Sequence, residues 1–402
     1  VTRQLPDFIS AFSEYAQSYN APPRFSEWAG IFALSLAAGR NIGFASRGGI
    51  TYANLYLQLI GPPATGKSRS LLALRKIIGK ATDYLPMPAH LTRAYLEDYM
   101  KENTVMRKTI DGLDKLSSEC IGMAEELQGI LPDQDLTHLT MYNLLYDLPD
   151  NHVTGTRSHG KIELHNTFCA LLTGAQPSFL STVMPEQSWG MGFMSRTIMI
   201  WDTPVERRSM FGADQQPLTH LETALVHDLQ QVFALYGHMH WSAPAIALYE
   251  AWWIEGGGEP EPQHKRLKLG YNGRRELQVT KIAVLNSLSE SNDLIVEERH
   301  IARAIDQLLA AESQMQYIFN EMASAGSMMA IEDVIDRVRA VTAEGSALHE
   351  AELIQMLMQR FPSTQVHALV ENLINSQVIH AAGGNNMRGF RKFVSGKKMA
   401  GV

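Results

Sequence analysis

The segment Gly61-Pro62-Pro63-Ala64-Thr65-Gly66-Lys67-Ser68 constrains this chain more than any other stretch. It satisfies the pattern G-x-x-x-x-G-K-[ST] at every position. A strand-like run, Leu55 to Ile60, precedes it, and a helix-like run, Ser70 to Ile78, follows. Strand, glycine-rich turn and helix form the context in which such a loop holds phosphate. Glycines let backbone N–H groups turn inward, next to the positive end of the helix. In that setting Lys67 reaches the β and γ phosphates of a nucleotide and the Ser68 hydroxyl sits on Mg²⁺, with Arg69 beside them. The expected ligands are ATP and Mg²⁺.

Composition bounds what surrounds this loop. A chain of 402 residues exceeds one ordinary core, so two or three domains are expected. Apolar content of 45% with 19% charged residues reads as a soluble, globular chain. The net charge of −7 argues against a globally basic nucleic-acid binder, though a local basic channel is compatible with it. Cys120 and Cys169 lie in apolar runs and are expected as buried thiols in a reducing compartment. No Cys/His spacing resembles a zinc site. The apolar run from Trp28 to Gly39 is too short to span a bilayer, and no signal-peptide pattern opens the chain. A start at Val1 hints at a trimmed chain or a piece of a longer polypeptide.

Four segments follow from periodicity and breakers. Residues 1–53 are expected to be mainly helical, with Phe8, Ile9, Phe12 and Tyr15 at helical spacing. Pro22-Pro23 breaks that pattern before a second helix, Phe25 to Ala38, and strand-like stretches flank Gly48-Gly49. Residues 54–217 alternate strand-like runs at 55–60, 119–124, 168–174 and 197–201 with helical ones, an α/β pattern. Residues 218–327 read as mostly helical, with Trp252 and Trp253 as packing residues and a small-residue linker at Ser324 to Ser327. Residues 328–402 read as helices at 331–341, 348–360 and 365–376, then a hairpin around Gly383 to Asn386. That is a winged-helix outline, and its wing carries Arg388, Arg391 and Lys392 as candidate DNA contacts.

Phosphoryl transfer from a P-loop needs a second, acidic strand end. Cys120 to Ala124 followed by Glu125-Glu126 supplies it, with Glu125 on the metal side and Glu126 orienting the attacking water. The strand-like run from Phe168 ends in the polar Gln176, with Thr173 as the reserve polar group. Arg196 sits at the mouth of the apolar run Thr197 to Trp201. A guanidinium forks onto phosphate oxygens and is permanently charged, so Arg196 is an arginine-finger candidate.

The order of these parts resembles the phage and prophage replication ATPases of the AAA+ class, relatives of the minichromosome maintenance and superfamily 3 viral helicases. The resemblance covers roughly Leu5 to Leu309. It rests on Trp28-Ala29-Gly30 leading through Asn54-Leu55-Tyr56 into the P-loop, and on Ala124 to Leu131. It rests also on Ala170 to Pro177, on Met194-Ser195-Arg196 and on the lid-like segment Gly273 to Ala283. Departures are Glu125 where the family has Asp, Gln176 where it has Asn, and no zinc-bearing N-terminal domain.

The resemblance implies an AAA+ core with an N-terminal helical segment, a helical lid and a C-terminal winged helix. It implies a γ-phosphate or water contact, sensor 1, at Gln176 with Thr173 as the reserve, and a sensor 2 arginine at Arg274 or Arg275, acting in cis or in trans. It also implies a pore hairpin between residues 150 and 164, touching single-stranded DNA through Arg157, His159 or Lys161. The implied function is a hexameric, ATP-driven helicase on single-stranded or forked DNA. Such a protein works in the cytoplasm of a bacterial host, alongside a primase or other replication proteins. An ATP-switched replication initiator or helicase loader is the alternative, and a phage-defence or transposition ATPase is a third reading.

Overall fold

The computed structural model describes residues 2–83, 87–88, 92–131, 136–156, 160–184, 189–190, 192–204, 219–254, 262, 264–268, 270–358, 361, 363–382 and 392–395. They divide into two compact units, Val1–Ile318 and Phe319–Val402. Of the four segments expected from sequence, the first two and most of the third therefore share one unit. Among the described residues no helix is long and apolar enough to cross a membrane.

The first unit is mixed α/β and is organised by a five-stranded sheet. Its order runs Thr104–Lys108, Asp114–Ala124, Phe168–Ala175, Tyr56–Ile60, Thr197–Trp201. The last four are mutually parallel, and Thr104–Lys108 pairs antiparallel with Asp114–Ser118 at one edge. The central strands Tyr56–Ile60 and Phe168–Ala175 and the edge strand Thr197–Trp201 are buried at every position, as parallel strands covered on both faces must be. The strand Thr104–Lys108 was not among the expected ones. Its signal was the turn at Asp111-Gly112, where Gly112 takes φ 75° and the chain folds back.

Two N-terminal helices form the hub on which this sheet rests. Phe8–Gln17 is capped by Asp7, whose carboxylate accepts from the Ile9 N–H at 3.1 Å. Phe8, Ile9, Phe12 and Tyr15 are all buried, as their spacing predicts. Pro23–Ala38 starts with proline at its first position and is buried almost all round, from Phe25 and Trp28 to Phe32 and Leu36. Gly30 lets the Phe12 ring approach, since a Cβ there would meet it at 3.3 Å. This segment is thus part of the core, not a separate module. After it, Ile42–Ser46 and Gly49–Tyr52 form a hairpin.

Ser324 to Ser327 is not a linker. It lies inside the helix Glu298–Ala343. Alanines on either side favour the helix, no proline interrupts it, and the single Gly326 costs only about 1 kcal/mol. In the second unit the helices Glu350–Met358 and Ser363–Asn375 pack with Val334 and Val338 around Leu353, Val370, Ile379 and Phe393. Leu348–His349, expected as the start of a helix, is a short strand. It pairs with Lys392–Ser395, which also pairs with Ile379–Ala381, giving a three-stranded antiparallel sheet.

One buried carboxylate ties three helices of the first unit together. Glu222, on Thr219–Ala234, meets Lys76 Nζ at 2.8 Å, Lys80 Nζ and the Tyr15 hydroxyl at 2.8 Å. Burial alone would raise its pKa, but the bonds from Lys76, Lys80 and Tyr15 outweigh this and hold it down at about 2. A folded-state pKa below the unfolded value stabilises the fold above the unfolded value, and that contribution disappears as pH falls through the folded one. The contribution is therefore full above a pH of 4.5 and lost on acidification towards about 2. Urea unfolding across that window should show a steeper acid loss of stability for the native protein than for Glu222→Gln.

Candidate functional site

The phosphate-type loop lies between Tyr56–Ile60 and the helix Lys67–Ala81, as the sequence predicts. Ala64 at φ 62° and Gly66 at φ 103° turn the backbone. A left-handed alanine costs roughly 1–2 kcal/mol, a local strain of the kind that concentrates at ligand-holding loops. The N–H groups of Lys67 and Ser68, at the start of the following helix, have no intrahelical acceptor, whereas those of Arg69 and Ser70 bond Gly66 O. Lys67 Nζ donates to its own loop, to Gly61 O at 2.8 Å and Pro62 O at 3.1 Å. Burial lowers its pKa and the charge of Glu126 partly restores it. Asn20 to Pro22 covers the loop from the N-terminal side: Pro22 would lie 2.9 Å from a Cβ at Gly66, and Arg69 Nη1 donates to Asn20 O at 3.2 Å.

The acidic pair sits beside this loop. The strand Asp114–Ala124 ends just before Glu125 and Glu126, which are exposed. The Ser68 hydroxyl donates to Glu125 Oε2 at 2.8 Å. Arg75, two turns along the P-loop helix, holds the same acid: Nη1 lies 3.6 Å from Glu125 Oε1, and Nη2 donates to Met123 O at 2.6 Å. The convergence depends on Gly174. A Cβ there would come within 2.1 Å of Glu125 O and 3.5 Å of Lys67 Cδ, so only glycine lets the acidic strand end and the lysine stem pass so close.

Among the described residues no three His, Cys, Asp or Glu side chains are grouped to hold a metal. A magnesium ion does not need them. It commonly takes one or two protein oxygens and fills the rest of its octahedron with water and substrate phosphates. The Ser68–Glu125 pair fits that demand. Gln176 follows the strand Phe168–Ala175, and Ala175 O accepts from the Gly61 N–H at 3.3 Å, so Gln176 stands at the loop between the lysine and the acids. Thr173, the reserve, is 2% exposed inside the strand, and its hydroxyl has no partner.

The expected arginines lie at the other end of the sheet. Thr197 pairs with Tyr56 and Trp201 with Ile60, so Arg196 precedes the N-terminal end of a strand whose C-terminal end adjoins the loop. Five residues at about 3.3 Å each put roughly 16 Å of strand between Arg196 and its own phosphate loop. Arg196 Nη2 donates to Asp147 Oδ2 at 2.8 Å, its Nη1 donates to Gly192 O at 3.2 Å, and the guanidinium carbon lies 5.7 Å from the Tyr146 ring centroid.

Lys281 is fully enclosed beneath the same ring, at 4.0 Å, and donates to Asn54 O at 3.0 Å and Asn54 Oδ1 at 2.7 Å. Burial drives its pKa well below the usual lysine value. Arg274 joins this cluster, its pKa lowered by burial and by the charge of Arg196. Arg275 does not. Its Nε and Nη2 fork onto Glu312 at 2.8 Å each, buried, with the guanidinium 5.3 Å from the Trp252 ring centroid. Of the two expected sensor residues, Arg275 is thus engaged in packing, and Arg274 is the one placed near Arg196.

The expected hairpin is formed by Asn151–Thr156 and Gly160–His165. Lys161 is exposed on it and pairs with Glu163. Arg157 and His159 lie outside the described residues, as do Arg388 and Arg391 of the expected wing; Lys392 is exposed at the start of its strand. Sequence reasoning missed Arg75, Asp147 and Lys281. Their partners are 48 or more residues away, and no local pattern links them.

No protein-family model matches this chain, and no curated protein matches it either.

Removing Arg275 breaks a buried ion pair, a loss that typically costs about 3–5 kcal/mol. Arg275→Ala should lower the unfolding free energy by that amount, whereas Arg274→Ala should change it by less than about 1 kcal/mol. Equilibrium urea unfolding of the two variants separates the roles.

Proposed function

We propose that this protein is an ATP-hydrolysing motor of the AAA+ type, assembled as a ring and moving on single-stranded or forked DNA. The observation that carries the reading is the meeting of Lys67, Ser68 and Glu125 over Gly174 at the mouth of a parallel sheet. Ligands of open α/β sheets bind outside the carboxyl ends of the strands, where this loop lies.

Each residue then has a distinct task. The loop backbone and Lys67 hold the β and γ phosphates, and Lys67 exchanges its bonds to Gly61 O and Pro62 O for phosphate oxygens. Ser68 and Glu125 would hold Mg²⁺, which neutralises charge between the phosphates when bound. Arg75 orients Glu125. Glu126 orients the attacking water, and Gln176 contacts the γ-phosphate or that water. The sheet length keeps Arg196 and Arg274 from their own phosphate loop, so they serve the nucleotide of a neighbouring subunit. The exposed hairpin carrying Lys161 would follow the nucleic-acid backbone, a salt-sensitive contact with little sequence preference. The tail, with its helices and three-stranded sheet, supports a winged-helix reading in which Lys392 joins the wing surface.

ATP hydrolysis measured with and without single-stranded DNA tests the reading, with Lys67→Ala as the blank. Turnover should rise with single strands, vanish in Lys67→Ala, and vanish in Glu126→Gln while nucleotide binding persists. Slow turnover indifferent to single strands would instead favour an ATP-switched initiator or loader.

A further inference from the structure

We propose that Asp147 is a latch: it holds Arg196 in the free subunit and releases it only when the phosphates of a neighbour's nucleotide arrive. The proposal rests on the reading of Arg196 as a residue that acts in trans.

Arg196 as it stands cannot serve another subunit. Its side chain is 11% exposed. One terminal nitrogen is bonded to Asp147, the other to Gly192 O, and its Nε is buried without a partner. The guanidinium lies against Gly192, where an added Cβ would meet Nη1 at 2.8 Å. The resting position of Arg196 is therefore a built one, with the glycine at φ 95° making room for it.

The backbone beside Asp147 is anchored, so in the latch it is Arg196 that moves. The turn after Asp147 is clamped by the buried Arg40, which donates to Leu148 O at 2.6 Å and Thr167 O at 3.2 Å and pairs with Asp150. The Asp147 side chain itself is 58% exposed and faces Arg196, Arg274 and Lys281. One carboxylate thus restrains a group of cations. A triphosphate brings several negative charges to the same place and displaces it, because guanidinium forks onto phosphate as readily as onto carboxylate. Until then the Arg196–Asp147 pair opposes the competent arrangement, and the apparent affinity of one subunit for the next falls by the fraction held closed.

The test is the midpoint of ATP-dependent self-association by sedimentation, in Mg²⁺, for the full chain. Asp147→Asn should assemble at a protein concentration lower by about fivefold, the factor that corresponds to a partly exposed pair of about 1 kcal/mol. Asp147→Glu should stay near the native midpoint. In an Arg196→Ala background, Asp147→Asn should produce no shift. If Asp147→Asn does not fold, Asp147→Ser removes the same charge with a smaller side chain. An Asp147→Asn midpoint equal to or above the native one overturns the latch, as does a shift that persists without Arg196. If assembled Arg196→Ala hydrolyses ATP at the native rate, the trans reading of Arg196 falls, whatever Asp147 does. Absence of any ATP-dependent association in the native protein overturns both.

Discussion

Parallel pairing of Tyr56–Ile60 with Phe168–Ala175 and Thr197–Trp201 is the constraint from which the rest follows. Parallel strands present all their carboxyl ends on one side. The phosphate-type loop, Glu125, Glu126 and Gln176 therefore share one mouth, and Arg196, Arg274 and Lys281 gather at the opposite end. The strands are only a few residues long, but they are rigid and buried, so this separation is not closed by side-chain rotation. A site that uses both ends needs two copies of the chain.

Within the mouth, one absent side chain decides the geometry. Gly174 lets the backbone at Glu125 and the stem of Lys67 approach across the central strand. Ser68 and Arg75, both on the helix after the loop, then meet the Glu125 carboxylate and link the loop to the acidic strand end. Glutamate where aspartate is usual in the resembling family is accommodated by this arrangement. The longer side chain reaches back to Ser68, and Arg75 supports it from the side. Beneath them the largely buried helix Pro23–Ala38 carries the sheet, and its preceding turn at Asn20 to Pro22 walls the loop.

Much of this was legible in the sequence, for physical reasons. The apolar runs of three of the four parallel strands are short and continuous, as strands covered on both faces must be. The loop announces itself because backbone phosphate contact demands glycine at set positions. What was not legible involves partners distant in the chain. Asp147 meets Arg196 across 49 residues, and Lys281 meets Asn54 across 227, with no periodicity to betray either. Arg274 and Arg275 are adjacent and chemically identical; only the buried Glu312 separates their roles. The segment Ser324 to Ser327 misled for the opposite reason. Small residues suit both linkers and helices, and here the helix on either side prevails.

Complementation between defective subunits tests the shared site most directly. Glu126→Gln lacks the acid proposed to orient water but keeps Arg196; Arg196→Ala lacks the proposed trans-acting arginine but keeps Lys67, Ser68, Glu125 and Glu126. Each alone should hydrolyse ATP poorly. Mixed at equal concentration they should recover a clear fraction of native turnover, because some interfaces then pair an intact mouth with an intact arginine. Recovery no greater than the sum of the separate rates, with mixed assembly verified, would contradict a site built from two subunits.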